Sequence, residues 1–189
     1  MVHRVFHPVN VLKTLQEERI SFFFGVPTMY NFMLQVPNVE EYDLSSVQKF
    51  GYGAAPMAPE LVKRGMQRFK SDQFFNLCGL TEAGPGGVLL DAEDHMRKLG
   101  ASGKAIINTE ARVVDGSGND ISPGEVGEFI LSGETIMKCY YRSPEATAEA
   151  IKDGWLYTGD LAAIDGEGFI TLVDRKKDMI ITGGENVYS

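Results

Sequence analysis

Along the first hundred residues the apolar positions switch repeatedly between helical spacing and short continuous runs. From Val9 to Arg19, Val11, Leu12 and Leu15 return to one side of a helix that Pro8 and Asn10 introduce. Ser21-Phe22-Phe23-Phe24 is an unbroken run ending at Gly25, the pattern of a buried strand. Pro27-Thr28 then opens a second helix through Met29, Tyr30, Met33 and Leu34, which stops near Pro37. The cycle repeats: Val47 to Tyr52 predicts a strand, Pro59 to Phe69 a helix with Leu61, Val62, Met66 and Phe69 on one side, and Gln73 to Leu77 another strand. Strand, glycine-bearing loop and helix in succession is the rhythm of an α/β fold with an open, mainly parallel, helix-flanked sheet, whose ligands sit beyond the carboxyl ends of the strands. The loops at Gly53 and Gly79 fall at two such ends.

After about Leu99 the runs shorten and alternate, as in Ala111-Arg112-Val113-Val114 and Glu128-Phe129-Ile130-Leu131, with turn signals at Asp115-Gly116, Pro123-Gly124 and Asp165-Gly166. This half reads as an antiparallel, β-rich subdomain. Ser143-Pro144-Glu145-Ala146-Thr147 interrupts it with a capped start for a helix through Ile151. A last strand, Phe169 to Val173, leads into Asp174, and the polar run Arg175 to Asp178 marks a boundary. The pattern thus divides the chain into an α/β portion over 1–98, a β-rich subdomain over 99–173 and a further segment over 174–189.

Composition narrows the partners. With 189 residues, 43% of them hydrophobic and 10% aromatic, the chain can bury a substantial core. A formal net charge of −8 argues against nucleic acid or an anionic membrane surface as the main partner, because counterion release needs a concentrated basic face. Cys78 and Cys139 lie far apart without ligand spacing, and both are expected to be free thiols. No apolar stretch reaches bilayer length, and Met1 to His7 lacks the layout of a signal peptide, so the expected location is the cytoplasm without integral membrane contact.

Three runs place carboxylates, hydroxyls or a guanidinium beside glycines: Gly79-Leu80-Thr81-Glu82-Ala83-Gly84, Tyr157-Thr158-Gly159-Asp160, and Asp174-Arg175-Lys176-Lys177-Asp178 with Gly183-Gly184-Glu185-Asn186-Val187-Tyr188. Glu82 at a strand end can hold Mg²⁺ through its carboxylate while Thr81 contacts phosphate; the same two residues also suit a surface loop, as a capping box or a solvated pair. Asp160 after a tight turn can accept ribose hydroxyls, or be an ordinary turn aspartate. Trp155 is expected to be core packing. Gly53-Ala54-Ala55-Pro56 offers side chains too small to obstruct a planar base or an acyl chain, and a short strand-to-helix turn has the same composition. Gly183-Gly184 beside lysines is also what a plain β-turn needs. Other signals fail. Gly100-Ala101-Ser102-Gly103-Lys104 lacks the spacing and terminal hydroxyl of a phosphate loop. His3, His7 and His95 have no metal spacing, and no serine sits in a Gly-x-Ser-x-Gly elbow.

Together with Gly25-Val26-Pro27-Thr28 and Gly53-Ala54-Ala55-Pro56, the order of these runs resembles the later core motifs of the AMP-forming adenylating enzymes. That group holds acyl-CoA synthetases, firefly-type luciferases and peptide-synthetase adenylation domains. The resemblance implies that Glu82 binds the metal, Thr81 the phosphate, and Asp160 and Arg175 the ribose. It implies that Gly53, Ala54, Ala55, Pro56, Cys78 and Gly79 line the nucleotide site, and that Gly53, Gly79, Gly84, Pro85 and Gly86 line an acyl pocket. Asp174 matches the hinge to a small C-terminal domain that begins in 174–189, and Lys177, Gly183 and Gly184 match its coenzyme A tunnel. Cys78 stands where the family usually has an aromatic residue that stacks on adenine.

The resemblance also implies ATP, Mg²⁺ and coenzyme A as substrates and cofactors, with a small-molecule carboxylic acid, a fatty acid first among them. Two lysines of the family's pattern, one in an early phosphate loop and one near the far C-terminus, have no match. The chain is therefore expected to be a fragment of a longer acyl-CoA synthetase, inactive alone and prone to self-association through an uncovered sheet edge. The alternatives are an adenylation domain that loads a carrier protein, and a noncatalytic nucleotide- or acyl-binding module.

Overall fold

Proline starts the helices. In α1 (Pro8–Glu17), α2 (Pro27–Leu34) and α3 (Pro59–Phe69) it occupies the first turn, where a missing N–H is no loss and the fixed φ is already helical. A computed structural model describes residues 5–84, 86–176, 180–182 and 185–187 and divides the chain into two units. The first unit is Met1–Leu77 with Leu90–Gly100, and the second is Cys78–Leu89 with Ala101–Ser189.

In the first unit, β1 (Phe22–Gly25), β2 (Lys49–Gly53) and β3 (Phe74–Gly79) run parallel, with Phe23 opposite Phe50 and Phe50 opposite Phe74. This register puts three phenylalanines side by side on the face that the helices cover. Phe50 stacks on Phe74 at 5.2 Å and on Phe69 of α3 at 5.3 Å, while Val11, Leu12 and Leu15 of α1 and Met33 and Leu34 of α2 complete the core. The opposite face is open at one edge, where Phe22 and Phe24 are 55% and 42% exposed over Gly51. Two polar contacts are buried with this core. Tyr30 donates to the Gly51 carbonyl at 2.8 Å, and the Tyr52 hydroxyl pairs with Nε2 of His95 at 2.9 Å at the end of α4 (Ala92–His95). His95 is fully buried, and desolvation lowers its affinity for a proton.

The second unit is antiparallel. A short pair joins β4 (Gly87–Leu90) to β5 (Lys104–Ala105). The main sheet has β6 (Thr109–Val114), β7 (Val126–Gly133), β9 (Trp155–Ile164) and β10 (Ile170–Arg175) in the order β10-β9-β7-β6, with β8 (Ile151–Lys152) also on β9. Val113, Phe129, Leu131, Leu156, Ala162 and Ile170 form its core. Helix α5 (Pro144–Ala150) buries no residue, and β11 (Ile180–Thr182) pairs with β12 (Glu185–Val187). The whole is an α/β fold: a parallel, helix-flanked segment followed by an antiparallel β-rich part. Among the described residues no helix is long and apolar enough to cross a membrane.

Three local expectations are corrected. Tyr157-Thr158-Gly159-Asp160 is not a tight turn between elements but the middle of the ten-residue strand β9. Trp155 is only half-buried, with the Arg112 guanidinium 5.0 Å over its ring. Ser143 makes no side-chain cap to α5; Thr147 instead donates its hydroxyl back to the Ser143 carbonyl at 2.8 Å.

Candidate functional site

The Gly159 run escapes the turn reading because it is a bulge. Along β9 and β7, Leu161 faces Glu128 and Tyr157 faces Ile130, so Thr158, Gly159 and Asp160 share the space opposite Phe129 alone. Gly159 takes a φ of +75°, which an L side chain rarely adopts. Thr158 closes the bulge: its hydroxyl donates to the Phe129 carbonyl at 2.7 Å and accepts from the Asp160 N–H at 3.1 Å. The neighbouring strand is irregular as well. Val173 is skipped between Leu172 and Asp174, after which Arg175 faces Asp160 and the Lys176 N–H donates to the Gly159 carbonyl at 2.8 Å.

Arg175 Nε lies 3.7 Å from Asp160 Oδ1, with side-chain exposures of 77% and 27%. So solvated a guanidinium neutralises its partner weakly. Burial accordingly raises the Asp160 carboxyl above its ordinary value, and Arg175 only partly offsets this. Cys78 is drawn into the same neighbourhood, since burial and then the Asp160 charge push its thiol up to about 11. A thiol so shifted stays protonated at neutral pH and is no nucleophile. Both cysteines are free.

Glu82 sits in a one-turn 3₁₀ segment, Thr81–Ala83, whose N-cap Leu80 has no capping side chain. The capping alternative is thus not realised. Instead the Glu82 carbonyl accepts from the Met137 N–H at 2.7 Å, and Glu82 Oε1 accepts from the Tyr140 hydroxyl at 2.8 Å. Sequence reading missed Tyr140, which lies in the loop between β7 and α5 without periodicity or motif spacing to mark it. Among the described residues Glu82 Oε2 has no protein partner and no group of three or more His, Cys, Asp or Glu side chains could hold a metal. One open carboxylate oxygen suits Mg²⁺, which draws most of its ligands from phosphates and water. Thr81 beside it is exposed.

The small residues have structural reasons of their own. A Cβ on Gly53 would overlap the Leu77 carbonyl, and one on Gly87 the Cys78 carbonyl. Gly86 is buried, with room for a Cβ denied by Thr135 Oγ1 at 2.6 Å and the Ala83 carbonyl at 2.7 Å. Gly84 has a φ of +64°. Gly79 is exposed at the end of β3, and Ala54, Ala55 and Pro56 are exposed after β2, with Ala54 at a φ of +65°. Asp174 lies inside β10 and accepts from the Arg175 N–H at 2.7 Å. The second unit therefore brings Cys78, Asp160 and Arg175 together and ties Glu82 to Tyr140, while Gly53 to Pro56 belong to the first unit. Pro85, Lys177, Gly183 and Gly184 lie outside the described residues.

A family model described as AMP-binding enzyme matches residues 2–141. The feruloyl-CoA synthase of Amycolatopsis sp is 42% identical over 188 residues, covering 100% of this chain and 38% of that protein. The long-chain-fatty-acid–CoA ligase FadD13 of Mycobacterium tuberculosis is 40% identical over 183 residues, 97% of this chain and 36% of that one. Among solved structures, the amide bond synthetase McbA from Marinactinospora thermotolerans superposes with a TM-score of 0.91 at 32% identity, over 99% of this chain and 38% of that chain. The chain thus spans less than two fifths of the length of these relatives. With the model matched over most of the chain and relatives of this identity along nearly all of it, the chain belongs to the AMP-binding enzyme family.

Proposed function

We propose that the protein carrying this chain activates a carboxylic acid with ATP, giving an acyl-adenylate and pyrophosphate, and then transfers the acyl group to the thiol of coenzyme A with release of AMP. The observation that carries this reading is the bulge in β9, which holds the half-buried Asp160 beside Arg175 within a chain of the AMP-binding family. The ionised Asp160 accepts both ribose hydroxyls, and Arg175 adds a donor at the same place. Glu82 would hold Mg²⁺ through Oε2, and Thr81 would donate its hydroxyl to a phosphate oxygen. The cation supplies neutralisation of phosphate charge during attack by the acid. Cys78, Gly79 and the Gly53 to Pro56 loop border the nucleotide, and Gly53, Gly79, Gly84, Pro85 and Gly86 the acyl group. Lys177, Gly183 and Gly184 serve coenzyme A, and Asp174 is the hinge between a large domain over 1–173 and the segment 174–189.

The acid in this reading carries an apolar tail, aryl or long-chain, as the names of the two CoA-forming relatives suggest. All reactants are small molecules of the cytoplasm. Pyrophosphate exchange into ATP by the intact protein, run with acetate, palmitate and ferulate, tests the first half-reaction, and thioester product with coenzyme A the second. Exchange with none of the three acids sinks the proposal. Exchange followed by amide rather than thioester formation would favour a second reading, which the superposition on an amide bond synthetase supports.

A further inference from the structure

We infer that Tyr140 is a positioning residue for Glu82: its hydroxyl holds one carboxylate oxygen so that the other is presented to a cation on the nucleotide phosphates. The inference rests on the role proposed for Glu82. The contact joins residues 58 positions apart, at 2.8 Å, and leaves Oε2 as the open oxygen.

Three further bonds make this a clamp rather than a chance meeting of side chains. The Met137 N–H donates to the Glu82 carbonyl at 2.7 Å, so the loop grips backbone and side chain of the same residue. The Tyr140 N–H donates to Thr147 Oγ1 at 3.0 Å, and that hydroxyl donates to the Ser143 carbonyl at 2.8 Å, which fixes the loop to the first turn of α5. A carboxylate held on one oxygen is restrained in rotation, so its other oxygen meets a cation with less conformational entropy to lose. Partners of this kind around a metal ligand commonly change affinity by about 10–100-fold.

The test is Mn²⁺ binding to the intact protein in the presence of ATP, followed by electron paramagnetic resonance, for wild type, Tyr140→Phe, Glu82→Gln and the double variant. Tyr140→Phe should weaken Mn²⁺ binding about tenfold. Glu82→Gln should weaken it more, and the double variant should be no weaker than Glu82→Gln, because the hydroxyl acts only through that carboxylate. Wild-type Mn²⁺ affinity in Tyr140→Phe, with affinity lost in Glu82→Gln, overturns the positioning role and leaves the metal role of Glu82 standing. Unchanged affinity in Glu82→Gln overturns the metal role and the inference with it. Should Tyr140→Phe fail to fold, Thr147→Val removes the acceptor for the Tyr140 N–H. It should loosen Mn²⁺ binding in the same direction, and wild-type affinity there counts against the clamp.

Discussion

The two units of this chain are stabilised by different means, and the difference shows where chemistry can reside. The first is organised by aromatic rings in register: Phe23, Phe50 and Phe74 lie abreast on three strands, with Phe69 and Tyr30 packed across them. Its buried polar groups, Tyr30, Tyr52 and His95, bond inward and hold the core. The second has a core of smaller side chains and spends its irregularities on presentation: a bulge carries Asp160, and a one-turn helix gripped by a loop carries Glu82. A regular aromatic layer fixes positions by packing density, whereas a bulge interrupts the ladder locally and re-aims a side chain there.

The largest effect is expected in the aromatic layer. Phe50 is fully buried and stacked on two rings, Phe69 and Phe74, so Phe50→Ala should lower stability by about 3–5 kcal/mol in urea unfolding. Hydrogen exchange should report the loss at β1 to β3 more than at β7 and β9. Equal loss of protection in both would mean that the two units unfold together, and the contrast drawn between them would not survive.

Chemistry responds in the opposite place. Glu82→Gln keeps an acceptor for Tyr140 and removes the charge that a cation needs, so adenylation in the intact protein should fall about a hundredfold while thermal stability barely moves. A large drop in melting temperature with a near-normal rate would make Glu82 a structural residue like those of the first unit.

A smaller effect is expected at Asp160, with opposite signs for function and stability. Asp160→Asn should raise the KM for ATP about tenfold, the scale of one charge-assisted hydrogen bond. Because burial raises the folded-state pKa of Asp160 above its unfolded value, the native state binds the extra proton in the window between the two, and stability falls as pH rises through it. Asp160→Asn removes that loss, so the variant should be more stable than wild type above the window and no different well below it. A wild-type advantage at neutral pH would show that Arg175 matters more to Asp160 than its exposure suggests.

How much of this was legible follows the same division. Proline at the first turn placed the starts of α2 and α3, and apolar spacing placed the end of α3 at Phe69, whereas α2 ends at Leu34, short of the stop near Pro37. The phenylalanine runs marked the strands. The bulge was not legible, because Thr-Gly-Asp composition is shared by turns and bulges, and only the register with Phe129 and Arg175 separates them. Tyr140 could not be read either: its partner is 58 residues away, and no periodicity connects a loop to a 3₁₀ turn. The glycines gave an incomplete signal. Their small size is visible in the sequence, but at Gly53, Gly86 and Gly87 it is explained by nearby carbonyl and hydroxyl oxygens as well as by any ligand.

The finest comparison sets one left-handed residue in each unit against the other. Ala54 in the first has a φ of +65°, and Gly159 in the second has a φ of +75° with nothing within 4 Å of where a Cβ would stand. Ala54→Gly relieves a conformation costing an L residue about 1–2 kcal/mol, but glycine loses more entropy on folding by about 0.5–1 kcal/mol. The net is a gain of roughly 0.5 kcal/mol, or about 1–2 °C in melting temperature for a chain of this size. Gly159→Ala reverses the sign for the same reason, without steric overlap to add to it, and should lower the melting temperature by a similar amount. If Ala54→Gly stabilises and also leaves the KM for ATP unchanged, the strain at Ala54 belongs to the strand-to-helix turn alone. If instead KM rises while stability improves, the strain at Ala54 serves nucleotide binding rather than the turn.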